Sequence, residues 1–196
     1  MKKLYILFFL TIGFLANAQI INFPDANLKA KLLSANSSNS IAQDLLGNYI
    51  RIDTNLDGNI QLSEALNVSY LDISFSNIYS LEGIQNFLNL IFFDCSNNQL
   101  TMFNAQGLTN LQYLYCFDNQ ITSLNVQGLT NLTSLLCGFN RLPSLNIQGL
   151  TNLSILDCGY NQLTSLNLKS LPGLENVELR LNKISNLKFK VRSKIY

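Results

Sequence analysis

The chain has no histidine and no tryptophan among its 196 residues, and only 13% of them are charged. Without histidine there is no Ser–His or Cys–His nucleophile, no His-ligated zinc and no imidazole switch near neutral pH. The 13 basic and 12 acidic residues leave a net charge of +1. That excludes both the basic footprint of a nucleic-acid-binding protein and a strongly acidic tail. Disorder is excluded as well, because 47% of the residues are hydrophobic, enough to build a core. Cysteine is scarce but ordered: Cys95, Cys116, Cys137 and Cys158 recur at intervals of 21 residues.

The N-terminus reads as an address. Met1-Lys2-Lys3 precedes an apolar run from Leu4 to Leu15, broken only by Thr11 and Gly13, and Ala16-Asn17-Ala18 has the small-x-small form of a signal peptidase site. The run is shorter than the roughly 20 residues a membrane span needs. No cysteine lies near the cleavage site to take a lipid. Residues 1–18 are therefore expected to be a secretory signal, and the mature chain an extracellular or periplasmic protein with no membrane span. Cleavage removes Lys2 and Lys3 and leaves 11 basic and 12 acidic residues, a net −1.

The rest is dominated by a repeat. Leu71, Phe93, Leu114, Leu135, Leu156 and Val177 are spaced by 22, 21, 21, 21 and 21 residues. Two positions on stand Ile73, the four cysteines and Leu179; five on, Ser76, Asn98, Asn119, Asn140, Asn161 and Asn182; seven and ten on, further Ile, Leu and Phe. Gln-Gly-Leu-Thr-Asn-Leu recurs verbatim at 106–111, 127–132 and 148–153. The Leu-x-Cys alternation predicts a short strand with one inward face, stacked in parallel at about 4.8 Å. The asparagine column turns the chain out of the strand and satisfies backbone groups there. One coil cannot bury its own apolar face, so stability must come from its neighbours.

Leu111-x-x-Leu114-x-Cys116-x-x-Asn119-x-Ile121-x-x-Leu124 resembles a leucine-rich repeat, and the match covers about residues 69–190. The 21-residue period with cysteine in a core column resembles secreted bacterial leucine-rich-repeat proteins, and the layout is similar to that of the internalin group. The resemblance implies an α/β solenoid with a parallel sheet on its concave face, otherwise mostly β and irregular coil, behind a small helical N-terminal cap. So short a period leaves little room for helices on the convex side, where extended or 3₁₀ segments are expected. The organisation is then a signal (1–18), a cap (19–68), six coils (69–190) and a tail (191–196).

Four cysteines in a secreted chain suggest disulfides. Neighbouring coils would bring Cα atoms within bridging range, but parallel, in-register Cβ atoms point side by side rather than at each other. Buried free thiols, acting as small hydrophobes, are the expected state.

Within the cap, Ala26–Leu33 reads as a short amphipathic helix after Phe23-Pro24-Asp25, and Ile41–Ile52 as a second helix and a short extended run. Asp53-Thr54-Asn55-Leu56-Asp57-Gly58-Asn59-Ile60-Gln61-Leu62-Ser63-Glu64 then fits D-x-[DN]-x-[DN]-G-x₅-E. It resembles an EF-hand-type calcium loop. Asp53, Asn55 and Asp57 would supply side-chain oxygens, Asn59 its carbonyl, Gln61 a water-mediated contact and Glu64 a bidentate carboxylate, around a Ca²⁺ cofactor. The other reading is a polar turn leading into a helix N-cap. Residues 49–52 do not look like an incoming helix, so a structural ion fits better than a sensor.

The outward strand columns carry rings where polar residues would serve. Phe92, Tyr113, Tyr115, Phe117, Phe139 and Tyr160, with Asp118 at the rim, are the candidate ligand-binding residues, since an exposed apolar patch usually marks an interaction site. The other reading has some rings folded over the neighbouring coil. Asp157/Glu178 and Asp72/Asp94 sit in one column at glycosidase-like spacing, yet a flat sheet has no pocket to enclose them. The sequence thus reads as a secreted, non-catalytic binding module for a protein ligand, with a glycan as the other ligand class and no nucleic acid. The alternatives are a structural spacer and, last, a hydrolase. In the tail, Lys188, Lys190, Arg192 and Lys194 alternate with apolar residues, a pattern that covers the last coil or blunts its edge; a chain ending short is the other reading.

Overall fold

A computed structural model describes residues 19–188 and 194–195. The expected signal at 1–18, and Lys190 and Arg192 of the tail, lie outside the described residues. Each coil begins with a three-residue strand: β2 (Tyr70–Asp72), β3 (Phe92–Asp94), β5 (Tyr113–Tyr115), β7 (Ser134–Leu136), β8 (Ile155–Asp157) and β10 (Asn176–Glu178). They pair in parallel and in register, Leu71 beside Phe93, Leu114, Leu135, Leu156 and Val177 in turn. These central residues are at most 1% exposed, as a half-buried strand of period two requires. The result is a solenoid of about six turns. β1 (Ala42–Gln43) closes one end antiparallel to β2, and β12 (Lys194–Ile195) lies parallel to β10 at the other.

On the convex side β4 (Met102–Asn104) pairs with β6 (Ser123–Asn125), and β9 (Ser165–Asn167) with β11 (Asn186–Lys188). Among the described residues one 3₁₀ turn spans Ile84–Asn86. Extended and 3₁₀ segments thus replace helices, as the period predicts. The convex ladder breaks between β6 and β9. There the N–H of Thr122 donates to Thr101 and that of Ser185 to Thr164, but the residue at this register in the intervening coil is Pro143, which has no N–H to give.

Asparagine binds the coils together. The Asn140 amide donates to the carbonyls of Cys116, Cys137 and Gly138 at 2.9–3.2 Å and accepts from the N–H of Ile121 at 2.9 Å. Asn98, Asn119, Asn161 and Asn182 repeat the pattern. A second row, which the sequence reading did not assign, uses Asn89, which donates to Leu66 of the cap, and Asn110, Asn131 and Asn152, each donating to a carbonyl of the preceding coil, at 2.7–2.9 Å. Among the described residues no buried side-chain polar atom lacks a partner, as a well-packed interior demands.

The cap helix α1 spans Ala26–Leu33 and buries Leu28 and Leu32. Asp25 caps it through the N–H groups of Asn27 and Leu28, and its other oxygen accepts from Tyr79 and Ser80 of the first coil. The ring of Phe23 lies 6.3 Å from that of Phe87. Gly83 (φ 103°) permits this approach, for a Cβ there would stand 2.6 Å from the Phe23 ring. The helix expected within Ile41–Ile52 does not form. Asp44 instead accepts from the N–H groups of Leu46 and Asn48 and folds the segment into a tight turn after β1, the competition with helix that short acidic side chains offer.

Candidate binding face

The cysteine column lies behind the sheet. Cys95, Cys116, Cys137 and Cys158 are free, fully buried, and step along the sheet through N–H donors to the next strand at 2.7–3.0 Å. Burial pushes every thiol up, Cys116 and Cys158 to about 12, so these groups are packing elements rather than nucleophiles.

The concave face presents the flanking strand residues. Tyr70 stacks on Phe92 with ring centroids 4.5 Å apart and an 8° interplanar angle, close to the spacing of adjacent strands. Tyr115 meets Phe92 edge-on at 5.1 Å, and Tyr113 lies 6.3 Å from it. These contacts leave Phe92 and Tyr115 half-buried and Tyr113 exposed. Burial, with Asp72, Tyr49, Asp94 and Tyr115 nearby, pushes the Tyr70 hydroxyl up to about 12. A second group, Phe139 and Tyr160, stacks at 4.0 Å. Phe117 is half-buried and Asp118 exposed. Among the described residues no ring pairing joins the two groups. The rings of the expected patch thus pair in two clusters, since neighbouring rings gain by stacking together. Leu136 stands in register with Tyr115, and Ile155 is 40% exposed on the next strand.

The bend after the strand places the same position of every coil in the left-handed region: Phe75, Asn97, Asp118, Phe139, Tyr160 and Leu181, with φ of 51–54°. Asn and Asp enter that region readily, whereas bulkier residues pay about 1–2 kcal/mol each. Phe75, Phe139, Tyr160 and Leu181 are nevertheless exposed at 77%, 51%, 38% and 66%. The bend requires the conformation in every coil, but it does not require side chains of this size. The sequence reading assigned Phe75 and Leu181 no role. It also passed over Tyr70 and the turn after β1, where Leu45 and Leu46 stand 62% and 86% exposed.

The paired carboxylates are used locally. Asp72 accepts from the N–H and hydroxyl of Ser74, Asp94 from those of Ser96, Asp157 from the N–H of Gly159, and Glu178 from the N–H and guanidinium of Arg180. Burial raises Asp94 and Asp157 above the usual carboxylate range. Glu178 falls below it: burial pulls its carboxyl upward, but hydrogen bonds and the charge of Arg180 outweigh that. Each acid supports the bend two residues on, at an open surface.

The loop from Asp53 to Glu64 turns back on itself. Gly58 has φ 77°. Asp53 accepts from the N–H groups of Asp57 and Gly58; Glu64, the third residue of α2 (Leu62–Ala65), accepts from those of Thr54 and of the N-cap Gln61. Asn55 and Gln61 both donate to Asp57, and Asn59 accepts from the Lys29 ammonium. Ile60 is fully buried, and its carbonyl accepts from Ile21. No helix runs directly into Asp53: turn and coil fill the stretch between β1 and the loop. Among the described residues no three Cys, Asp or Glu side chains form a metal cluster by themselves, so an ion would draw on Asn55, Gln61 and a carbonyl as well. Asp53 and Glu64 are only 6% exposed, and no basic side chain makes a salt bridge with the loop among the described residues. Buried carboxylates without a cation are costly, and the all-oxygen donor set fits a hard divalent ion.

Neither a family model nor a curated protein matches the chain. Among solved structures, the functional domain of InlJ from Listeria monocytogenes, which includes a cysteine ladder, is similar with a TM-score of 0.67 and 27% identity over 83% of this chain and 33% of that one. The internalin InlF of the same species has a TM-score of 0.50 and 19% identity over 88% of this chain and 64% of that one. A leucine-rich-repeat protein of Leptospira interrogans has a TM-score of 0.51 and 20% identity over 65% and 44%. The last two show the fold alone. This chain spans about a third of the InlJ domain and less than two thirds of the other two. Among the described residues no helix is long and apolar enough to cross a membrane.

Proposed function

We propose that this chain is a secreted, non-catalytic module that binds a protein through the rings of its concave sheet. The observation that carries the reading is the left-handed column. Phe75, Phe139, Tyr160 and Leu181 are bulky and exposed where the backbone favours asparagine or glycine, so their cost to folding is offset by another use. The similarity to internalin structures supports it, as does the signal-type N-terminus. The acids at the bends are engaged with their own turns and lie on an open face, which speaks against hydrolysis. The test is to isolate a protein captured by mature chain from culture fluid or host secretions, then measure its affinity by calorimetry. Tyr115→Ala or Phe117→Ala should weaken it by about 2 kcal/mol, roughly 30-fold. A spacer would give variants indistinguishable from the parent.

The same reading includes a structural Ca²⁺ held by Asp53, Asn55, Asp57, Gln61, Glu64 and the Asn59 carbonyl. The two buried carboxylates without a basic partner support it. Bound only by the folded chain, the ion would raise the melting temperature, and Glu64→Ala would abolish most of the rise. A melting curve indifferent to Ca²⁺ and chelator removes the ion.

A further inference from the structure

The charges of this nearly neutral chain are not evenly spread. The outward strand and bend positions of the six coils carry five carboxylates, Asp72, Asp94, Asp118, Asp157 and Glu178, against one basic residue, Arg180. That guanidinium is engaged with Glu178 at 2.9 Å. The chain as a whole has 13 basic and 12 acidic residues, so the acids are concentrated on the face that carries the rings. At the end of the sheet nearest the cap, Asp72 and Asp94 stand in register on adjacent strands beside the stacked Tyr70–Phe92 pair and the edge of Tyr115. Their only partners among the described residues are the serines two positions on.

We propose that this face docks a cationic polypeptide segment whose arginine or lysine side chains lie over Tyr115 and the open edge of the Tyr70–Phe92 stack and reach Asp72 and Asp94. This deepens the concave-face reading and rests on it. An arginine suits the site best: its planar guanidinium stacks on a ring while its edge donates to a carboxylate. The apolar stretches of the same segment would cover Tyr113, Leu136 and Ile155. An acidic polypeptide or a nucleic acid would meet like charge at Asp72 and Asp94. An uncharged glycan would gain nothing from the acids beyond hydrogen bonds.

The chain's lack of tryptophan gives the test a clean signal. A short peptide alternating arginine and leucine around one tryptophan, and matched peptides with glutamine or glutamate for arginine, are titrated into mature chain and read by peptide fluorescence. The arginine peptide should bind at least about tenfold more tightly than the other two, less so at high salt. Asp72→Asn/Asp94→Asn should lose at least about tenfold for that peptide with an unchanged urea midpoint, because an amide oxygen still accepts from each serine. Should that variant lose stability, competition by free arginine against the parent reads the same contact. The inference is overturned if the neutral variant binds as the parent does, if free arginine fails to compete, if the glutamine or glutamate peptide binds as well, or if none of the three binds. Binding lost in Tyr113→Ala/Tyr115→Ala but indifferent to the aspartates keeps the face and removes the cation preference. Binding indifferent to both pairs removes the face too.

Discussion

Replacing Asn140 by alanine tests the internal ladder. Its side chain is 8% exposed and makes four hydrogen bonds. Three of the groups it serves keep a partner when it goes: Cys116 O retains the Asn119 amide, Cys137 O retains that of Asn161, and Gly138 O retains the N–H of Asp118. The N–H of Ile121 has no replacement. A buried donor left without an acceptor costs about 1–3 kcal/mol, and the lost bonds to carbonyls add about 1 more. The expected loss is therefore about 3 kcal/mol. With an m-value of about 2 kcal/mol/M, the urea midpoint falls by roughly 1.5 M. Asn131 in the surface row donates once, to Thr109 O, is exposed, and should cost under about 1 kcal/mol when replaced. Equal effects at the two positions, or a loss below about 1 kcal/mol at Asn140, would refute the ranking of the two ladders.

Phe75→Asn should stabilise the chain by about 1 kcal/mol in urea unfolding, because the residue is 77% exposed at φ 51° and asparagine enters that region more readily; a clear destabilisation would show that the ring serves the fold. Asp25→Ala should cost about 2 kcal/mol at pH 7, since one carboxylate caps α1 and ties it to Tyr79 and Ser80. Burial pushes the Asp25 carboxyl up, but the N–H groups of Leu28, Tyr79, Ser80 and Asn27 outweigh it and hold it below the usual value. Its stabilisation is therefore complete above the unfolded carboxylate value and lost as pH falls through the depressed folded one. The parent–variant gap should close in acid, and a gap independent of pH contradicts the assignment.

The repeat was legible because its period fixes register: once Leu71, Phe93 and Leu114 are aligned, the cysteine and asparagine columns and the outward rings follow. Even the absence of convex helices follows from the 21-residue step. Side-chain geometry was not legible in the same way. The columns put Phe92 beside Tyr70, but only the packed rings show that stacking divides the face into two clusters. The left-handed bend was hidden because Phe, Tyr and Leu occupy a position whose conformation favours Asn or Gly. The failed helix at 41–52 came from Asp44, whose side chain competes for the backbone donors a helix would use. The second bond of Asp25 is tertiary and has no local signal.

The binding face itself is most directly tested by labelling the mature chain with 3-fluorotyrosine and titrating it with the protein it captures, followed by fluorine NMR. Tyr113, Tyr115 and Tyr160 lie on the sheet face or its bend, whereas Tyr79 lies off the sheet beside α1. Binding through the concave rings predicts shifted or broadened signals from the first three and an unchanged signal from Tyr79. A response at Tyr79 with the other three unmoved would contradict it.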